Sequence, residues 1–262
     1  MNPILLKAQG LTMRFGGVTA LNALDLTVRQ DEVVGLIGPN GSGKTTFFNV
    51  VTGIYTASAG VVDFDGQDIS RCTAQAVYRA GITRTFQRSR LCLPLSVFDN
   101  IVIGNYQHLR HGLLFNLFQR QALQRQYQEN LEEARRLLAT FNDRLVDRLF
   151  DPVGALTMID RRRIEICRAL ISRPRLLLLD EPSAGMTHDE THELMSDLLQ
   201  VRERLREVGN SVTIIIIEHE MNVIDRITDR CIVLNYGEKI AEGSYAQIAA
   251  NPEVQRAYLG SD

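Results

Sequence analysis

Residues 38–46 read Gly-Pro-Asn-Gly-Ser-Gly-Lys-Thr-Thr, the G-x-x-x-x-G-K-T spacing of a phosphate-binding loop. Gly41 and Gly43 carry no side chain, so backbone N–H groups can close around phosphate oxygens. Lys44 has the reach for the β- and γ-phosphates, and the hydroxyl of Thr45 suits Mg²⁺. The phosphate-binding set is Gly38, Asn40, Gly41, Ser42, Gly43, Lys44, Thr45 and Thr46. Its flanks agree with this chemistry. Val33 to Ile37 reads as a buried strand, and Thr46 to Val51 continues as a helix whose positive N-terminal end faces the anion.

A second group of residues could act on the phosphate. Leu176-Leu177-Leu178-Leu179-Asp180-Glu181 is an apolar strand that ends in two carboxylates. Asp180 is placed to orient Mg²⁺ or its waters, and Glu181 to polarise the attacking water. Alone, the pair is equally a solvated turn; beside a phosphate loop, the catalytic reading prevails. His219 follows the apolar run Val212 to Ile217, which would lie beside the Asp180 strand and bring His219 to the same sheet edge as a contact for the γ-phosphate. Gln87, in Arg84-Thr85-Phe86-Gln87, falls where the core meets a helical segment, and its amide could reach metal and water.

These residues need a sheet to hold them. Residues 4–37 alternate apolar and polar around short turns, which predicts strands, some of them antiparallel. Gly60 to Gly66 reads as another strand. From Leu95 to Arg148 the texture turns helical, with Leu113, Leu114, Phe115, Leu117, Phe118, Leu123, Tyr127, Leu131, Leu137 and Leu138 at helical spacing. After Pro152, strands and helices alternate (helix 164–171, strand 176–179, helix 187–206, strand 212–217, helix 222–228, strand 231–234), a pattern that means a parallel sheet. The 262 residues are 45% hydrophobic and 23% charged, enough for a sizeable core. A net charge of −2 gives no electrostatic case for nucleic acid. No apolar run approaches the roughly 20 residues of a membrane span, and no secretory signal is expected. Cys72, Cys92, Cys167 and Cys231 are scattered, which fits reduced thiols and no structural zinc.

Phosphate loop, Gln87, Leu179-Asp180-Glu181-Pro182 and Glu218-His219, in this order around a helical insertion, resemble the nucleotide-binding subunit of an ABC transporter nearly end to end. Met13 to Gly17, Arg84 to Gln87, Arg162 to Ile166, Glu181 to Gly185 and the tail Asn251 to Gly260 are similar to the LivG-type subunits of branched-chain amino acid importers. The resemblance implies an α/β fold: an ABC-type P-loop ATPase with a RecA-like core, an antiparallel β subdomain and an inserted helical subdomain. Its expected parts are residues 1–88, 89–163 (helical, with the signature region), 164–240 and a tail at 241–262. It implies ATP and Mg²⁺ as cofactors, with Glu181, His219 and Lys44 catalytic and Thr45, Gln87 and Asp180 around the metal. Phe15 would stack on adenine, the alternative being a core Phe beside a Gly-Gly turn. The implied partners are a second ATPase subunit, integral-membrane permease subunits gripped by the helical insertion and residues 88–100, and indirectly a periplasmic or extracellular substrate-binding protein. The implied location is peripheral, on the cytoplasmic face of the inner membrane. ATPases of lipid or lipopolysaccharide export and non-transport ABC ATPases are the competing readings.

The chain departs from that family at the signature, usually Leu-Ser-Gly-Gly-Gln-like, which serves the ATP held by the opposite subunit. Here it reads Leu156-Thr157-Met158-Ile159-Asp160. Thr157 keeps a hydroxyl, Met158 and Ile159 add bulk, Asp160 adds negative charge, and a β-branched Ile resists a positive φ. This chain's own loop, Glu181 and His219 are complete, so a heterodimer with a different ATPase subunit is expected; the alternative is a tolerated variant. Further on, Thr187-His188-Asp189-Glu190 fits a helix capping box. His188 and His192 have an i, i+4 spacing that a zinc helix shares, but Asp189 stands where that motif needs Glu, and the cap already explains the segment. His108 and His111 read as solvated.

Overall fold

The computed structural model describes residues 2–87, 89–110, 112 and 118–259. His111, Leu113, Leu114, Phe115 and Leu117 of the expected helical run, Arg88 of the expected permease grip and Gly260 of the tail lie outside them. The chain divides into two compact units. The first comprises residues up to Arg84, Arg175–Pro182 and from Val212 onward; the second comprises Thr85–Pro174 and Ser183–Ser211.

The first unit contains all the strands among the described residues. β1 (Ile4–Phe15), β2 (Val18–Arg29), β4 (Ala59–Phe64) and β5 (Gln67–Asp68) form an antiparallel sheet in the order β2-β1-β4-β5. β3 (Val33–Ile37), β6 (Ile82–Arg84), β7 (Leu176–Asp180), β8 (Thr213–Ile217), β9 (Arg230–Asn235) and β10 (Glu238–Gly243) form the other, in the order β10-β9-β3-β8-β7-β6. The second sheet is parallel except for β10 on β9. The central strands β3, β7 and β8 are buried at every residue, which is why they read as unbroken apolar runs and not as alternation. Between the strands run α1 (Lys44–Val51) and α2 (Ala74–Ala80). α8 (Met221–Ile227), α9 (Tyr245–Ala249) and α10 (Pro252–Leu259) follow later in the chain. The hydrophobic core of this unit runs through both sheets and α1, with Leu6, Leu36, Phe47, Phe48, Leu178 and Ile217 fully buried.

The second unit is helical. It holds α3 (Val97–Ile103), α4 (Arg120–Phe141), α5 (Asp143–Asp147), α6 (Met158–Leu170) and α7 (His188–Glu207). α4 buries Leu131, Ala134, Leu137, Leu138 and Phe141, an i, i+3, i+4, i+7 stripe that packs on α6 and α7. Thr187 caps α7 as its sequence predicts. Its hydroxyl accepts from the Glu190 N–H, and the Glu190 carboxylate accepts from the Thr187 N–H at 2.9 Å.

Candidate nucleotide site

In the phosphate loop the glycines are required by geometry. Gly43, at φ 104°, is the N-cap of α1, and a Cβ there would lie 2.5 Å from the Ala20 carbonyl oxygen. At Gly38 a Cβ would lie 2.1 Å from the Leu234 carbonyl oxygen. Any side chain at either position would force the loop open. Lys44 folds back onto the loop. Its Nζ donates to the carbonyls of Gly38 at 2.7 Å and Pro39 at 2.9 Å and lies 3.4 Å from Ser42 Oγ. Burial pushes the pKa of this ammonium below the usual lysine value, and the nearby Glu181 and Asp180 work the other way. Thr45 is exposed on the first turn of α1, with Thr46 half-buried behind it.

β7 pairs with β8 so that Asp180 stands opposite Ile217. This register carries Glu181 and His219 to the same strand ends. His219 Nε2 and Glu181 Oε1 are 2.6 Å apart. Glu181 has φ 48°, a left-handed conformation that non-glycine residues rarely adopt. Its N–H is held by the Ile217 carbonyl at 2.9 Å, so the sheet maintains the strained backbone that turns the carboxylate towards His219. Asp180 is 3% exposed. Its Oδ2 accepts from Arg84 Nη2 at 2.6 Å. The hydroxyl of Thr45 and the carboxylate of Asp180 are hard oxygen donors. Mg²⁺ takes few protein ligands when phosphates supply the rest, so this sparse set fits that ion. Phe15 is not a core residue: it is 43% exposed at the end of β1 and meets Tyr55 edge-on, ring centroids 5.3 Å apart.

Gln87 belongs to the second unit. There Arg162, on α6, donates to the Gln87 carbonyl at 2.9 Å and to Glu165 at 2.7 Å, and Glu165 accepts the Arg90 N–H at 2.9 Å. The loop carrying Gln87 is thus tied to α6 by a buried ion pair. Beside it lies a cavity of about 380 Å³ lined by Gln87, Leu91, Leu93, Met158, Arg161 and Ala184 among others.

At the altered signature, Thr157 caps α6 and its hydroxyl donates to Asp160 at 2.7 Å. The positive φ expected to trouble Ile159 is not demanded, because the residue lies in the first turn of α6 with its side chain 7% exposed. The exposed bulk is Met158, at 48%. His188 and His192 face each other, Nε2 to Nε2 2.9 Å.

Some contacts of these residues have no motif to announce them. Arg84, Asn49, Arg162 and Glu165 have their places set by register and helix packing. The tail reaches the loop as well. A cavity of about 350 Å³ is lined by Asn40, Gly41 and Ser42 on one side and by Glu253, Arg256 and Ala257 of α10 on the other. Partial burial of the Tyr258 phenol in this tail helix pushes its pKa up to about 12.

The sequence model of the ABC transporter family matches residues 21–184, and that of the branched-chain amino acid ATP-binding cassette transporter C-terminus matches residues 238–262. The chain is 38% identical to the high-affinity branched-chain amino acid transport ATP-binding protein BraF of Pseudomonas aeruginosa over 260 residues, 99% of each. It is also 38% identical to the LivG protein of the same description from Escherichia coli K12, over 262 residues and 99% of each. A nucleotide-free ATP-binding cassette from an ABC transporter superposes with a TM-score of 0.81 at 28% identity, covering 98% of this chain and 100% of that one. The ADP conformation of the cassette MJ1267 gives 0.80 at 28%, covering 98% and 99%. With its phosphate loop, its Asp180–Glu181 strand end and His219 joined on one sheet, the chain belongs to the ATP-binding subunits of ABC transporters and is an ATPase of that family.

Proposed function

We propose that this subunit powers import of branched-chain or other hydrophobic amino acids, working from the cytoplasmic face of the cell membrane with permease subunits and a second, different ATPase subunit. The observation that carries the catalytic reading is the Glu181–His219 pair at 2.6 Å beside Asp180 and Lys44. ATP would lie on the phosphate loop with Phe15 against the adenine. Lys44 exchanges the Gly38 and Pro39 carbonyls for phosphate oxygens, which offsets the cost of its burial. Thr45 and Asp180 would hold Mg²⁺, which when bound neutralises charge on the β- and γ-phosphates. Glu181 accepts the proton of the attacking water, and His219 keeps the carboxylate aimed while contacting the γ-phosphate. The substrate class rests on the relatives, which are branched-chain amino acid transport proteins, and on the tail that matches their C-terminal family. The apolar cavity at Leu91, Leu93 and Met158 supports docking of a permease loop beside Gln87. No helix of the described residues is long and apolar enough to cross a membrane, so the attachment proposed is peripheral.

A different ATPase partner is supported by the mouth of α6, where Thr157 spends its hydroxyl on Asp160 and Met158 stands exposed. This arrangement offers a γ-phosphate less than a Ser-Gly-Gly tip does. The substrate assignment is tested by uptake of labelled leucine in cells lacking the subunit. Rescue by the wild type and not by Glu181→Gln is expected. Leucine uptake independent of the subunit, with lipid export impaired instead, would replace the importer with an exporter.

A further inference from the structure

Arg84 sits between the two elements that carry the oxygen donors. It pairs in register with Leu178 across β6 and β7, and Asp180, two residues on, faces the same side of the sheet. The guanidinium spans from there to α1: Nη2 to Asp180 Oδ2 at 2.6 Å and Nη1 to Asn49 Oδ1 at 2.6 Å, with Cζ 5.3 Å from the centre of the Phe48 ring. The side chains of Arg84 and Asp180 are 5% and 4% exposed, so the pair is shielded from competing water. Asn49 lies four residues after Thr45, on the same face of α1. One planar cation therefore fixes both the carboxylate of Asp180 and the helix face that presents Thr45.

We propose that Arg84 is a positioning residue for divalent-metal binding, clamping the Asp180 carboxylate at a fixed distance from the Thr45 face through Asn49. The planar fork is essential to this role: a lysine keeps the charge but cannot span two acceptors with the same geometry. With Oδ2 held by Arg84, the Asp180 carboxylate keeps one orientation relative to α1. The inference rests on reading Asp180 as a metal-orienting carboxylate.

The test is Mn²⁺ affinity by electron paramagnetic resonance, on the protein with a non-hydrolysable ATP analogue, for Arg84→Lys, Asn49→Ala, the double variant and Asp180→Asn. Nucleotide affinity in EDTA is measured alongside. Arg84→Lys is expected to weaken Mn²⁺ about tenfold, the scale of losing a partner that orients a ligand, while leaving metal-free nucleotide affinity unchanged. Asn49→Ala should weaken it less, and the double variant should be no worse than Arg84→Lys, because both break one clamp. If Arg84→Lys does not fold, Asn49→Ala carries the test by itself: weaker Mn²⁺ supports the clamp and unchanged Mn²⁺ overturns it. A folded Arg84→Lys with Mn²⁺ bound as in the wild type or tighter overturns the proposal, as do fully additive effects. Asp180→Asn separates the two levels. If it leaves Mn²⁺ unchanged, the reading of Asp180 fails; if it weakens Mn²⁺ while Arg84→Lys does not, only the clamp fails.

Discussion

The two units rely on buried ion pairs to different degrees. In the sheet unit, the candidate catalytic groups stand at strand ends and are aimed by backbone: a left-handed Glu181 held by the Ile217 carbonyl, and a loop in which Gly38 and Gly43 leave no room for a side chain. In the helical unit, charge is buried along α6 itself. Arg163, 3% exposed, meets Asp160 at 3.0 Å, Asp197 at 2.7 Å and Glu193, while Arg162 meets Glu165 at 2.7 Å. In the sheet, register does most of the positioning, with the buried Arg84–Asp180 pair added at one strand end. Helices joined by loops have no such ladder between them, and here ion pairs between α6 and α7 supply the registry. Substitutions in the first unit should therefore cost chemistry, and those in the second stability.

The largest effect expected is on rate. Glu181→Gln should lower ATP hydrolysis by about 10²–10⁴-fold with ATP binding retained, measured by single-turnover phosphate release and nucleotide binding. An unchanged rate would remove Glu181 from the mechanism. Next is Arg163→Met, which strands Asp197 and should cost about 3–5 kcal/mol of stability in urea melts. Burial already pushes the Asp197 carboxyl above its usual pKa, with Arg163 opposing. With that arginine gone, the folded state binds the proton more tightly than the unfolded one. The gap to the wild type should then narrow as pH falls into the carboxylate range. A gap that widens would contradict the network. Thr187→Ala breaks the capping box and should cost about 1 kcal/mol by the same melts. The smallest perturbation is thiol labelling. Cys92 is exposed and should react first; Cys167 and Cys231 are buried, with thiol pKa values pushed up by desolvation, and should react only on opening. Cys167 labelling that keeps pace with Cys92 would mean that the helical unit is looser than its ion pairs imply.

The same contrast explains what could be read from the chain. Phosphate loop, Asp180–Glu181 and His219 are contiguous motifs on apolar strands, and the adjacency of β7 and β8 follows from two buried runs in one parallel sheet. The Thr187 cap is local and was equally legible. Arg84–Asn49 and Arg162–Gln87 join residues 35 and 75 positions apart, through register and packing that no local pattern specifies. Ile159 departs from the sequence expectation for a related reason. Its type argued against a positive φ, but the helix begins at Met158 and makes no such demand.

In the proposed heterodimer this chain supplies the phosphate loop, Glu181 and His219 of one nucleotide site and an altered signature to the other. The most direct test is the solution mass of the Glu181→Gln variant with excess Mg-ATP, by light scattering. The account predicts a monomer that binds ATP and dimerises only when a second ATPase subunit is added. A stable homodimer would contradict it, because Thr157, Met158 and Asp160 would then accept a γ-phosphate unaided.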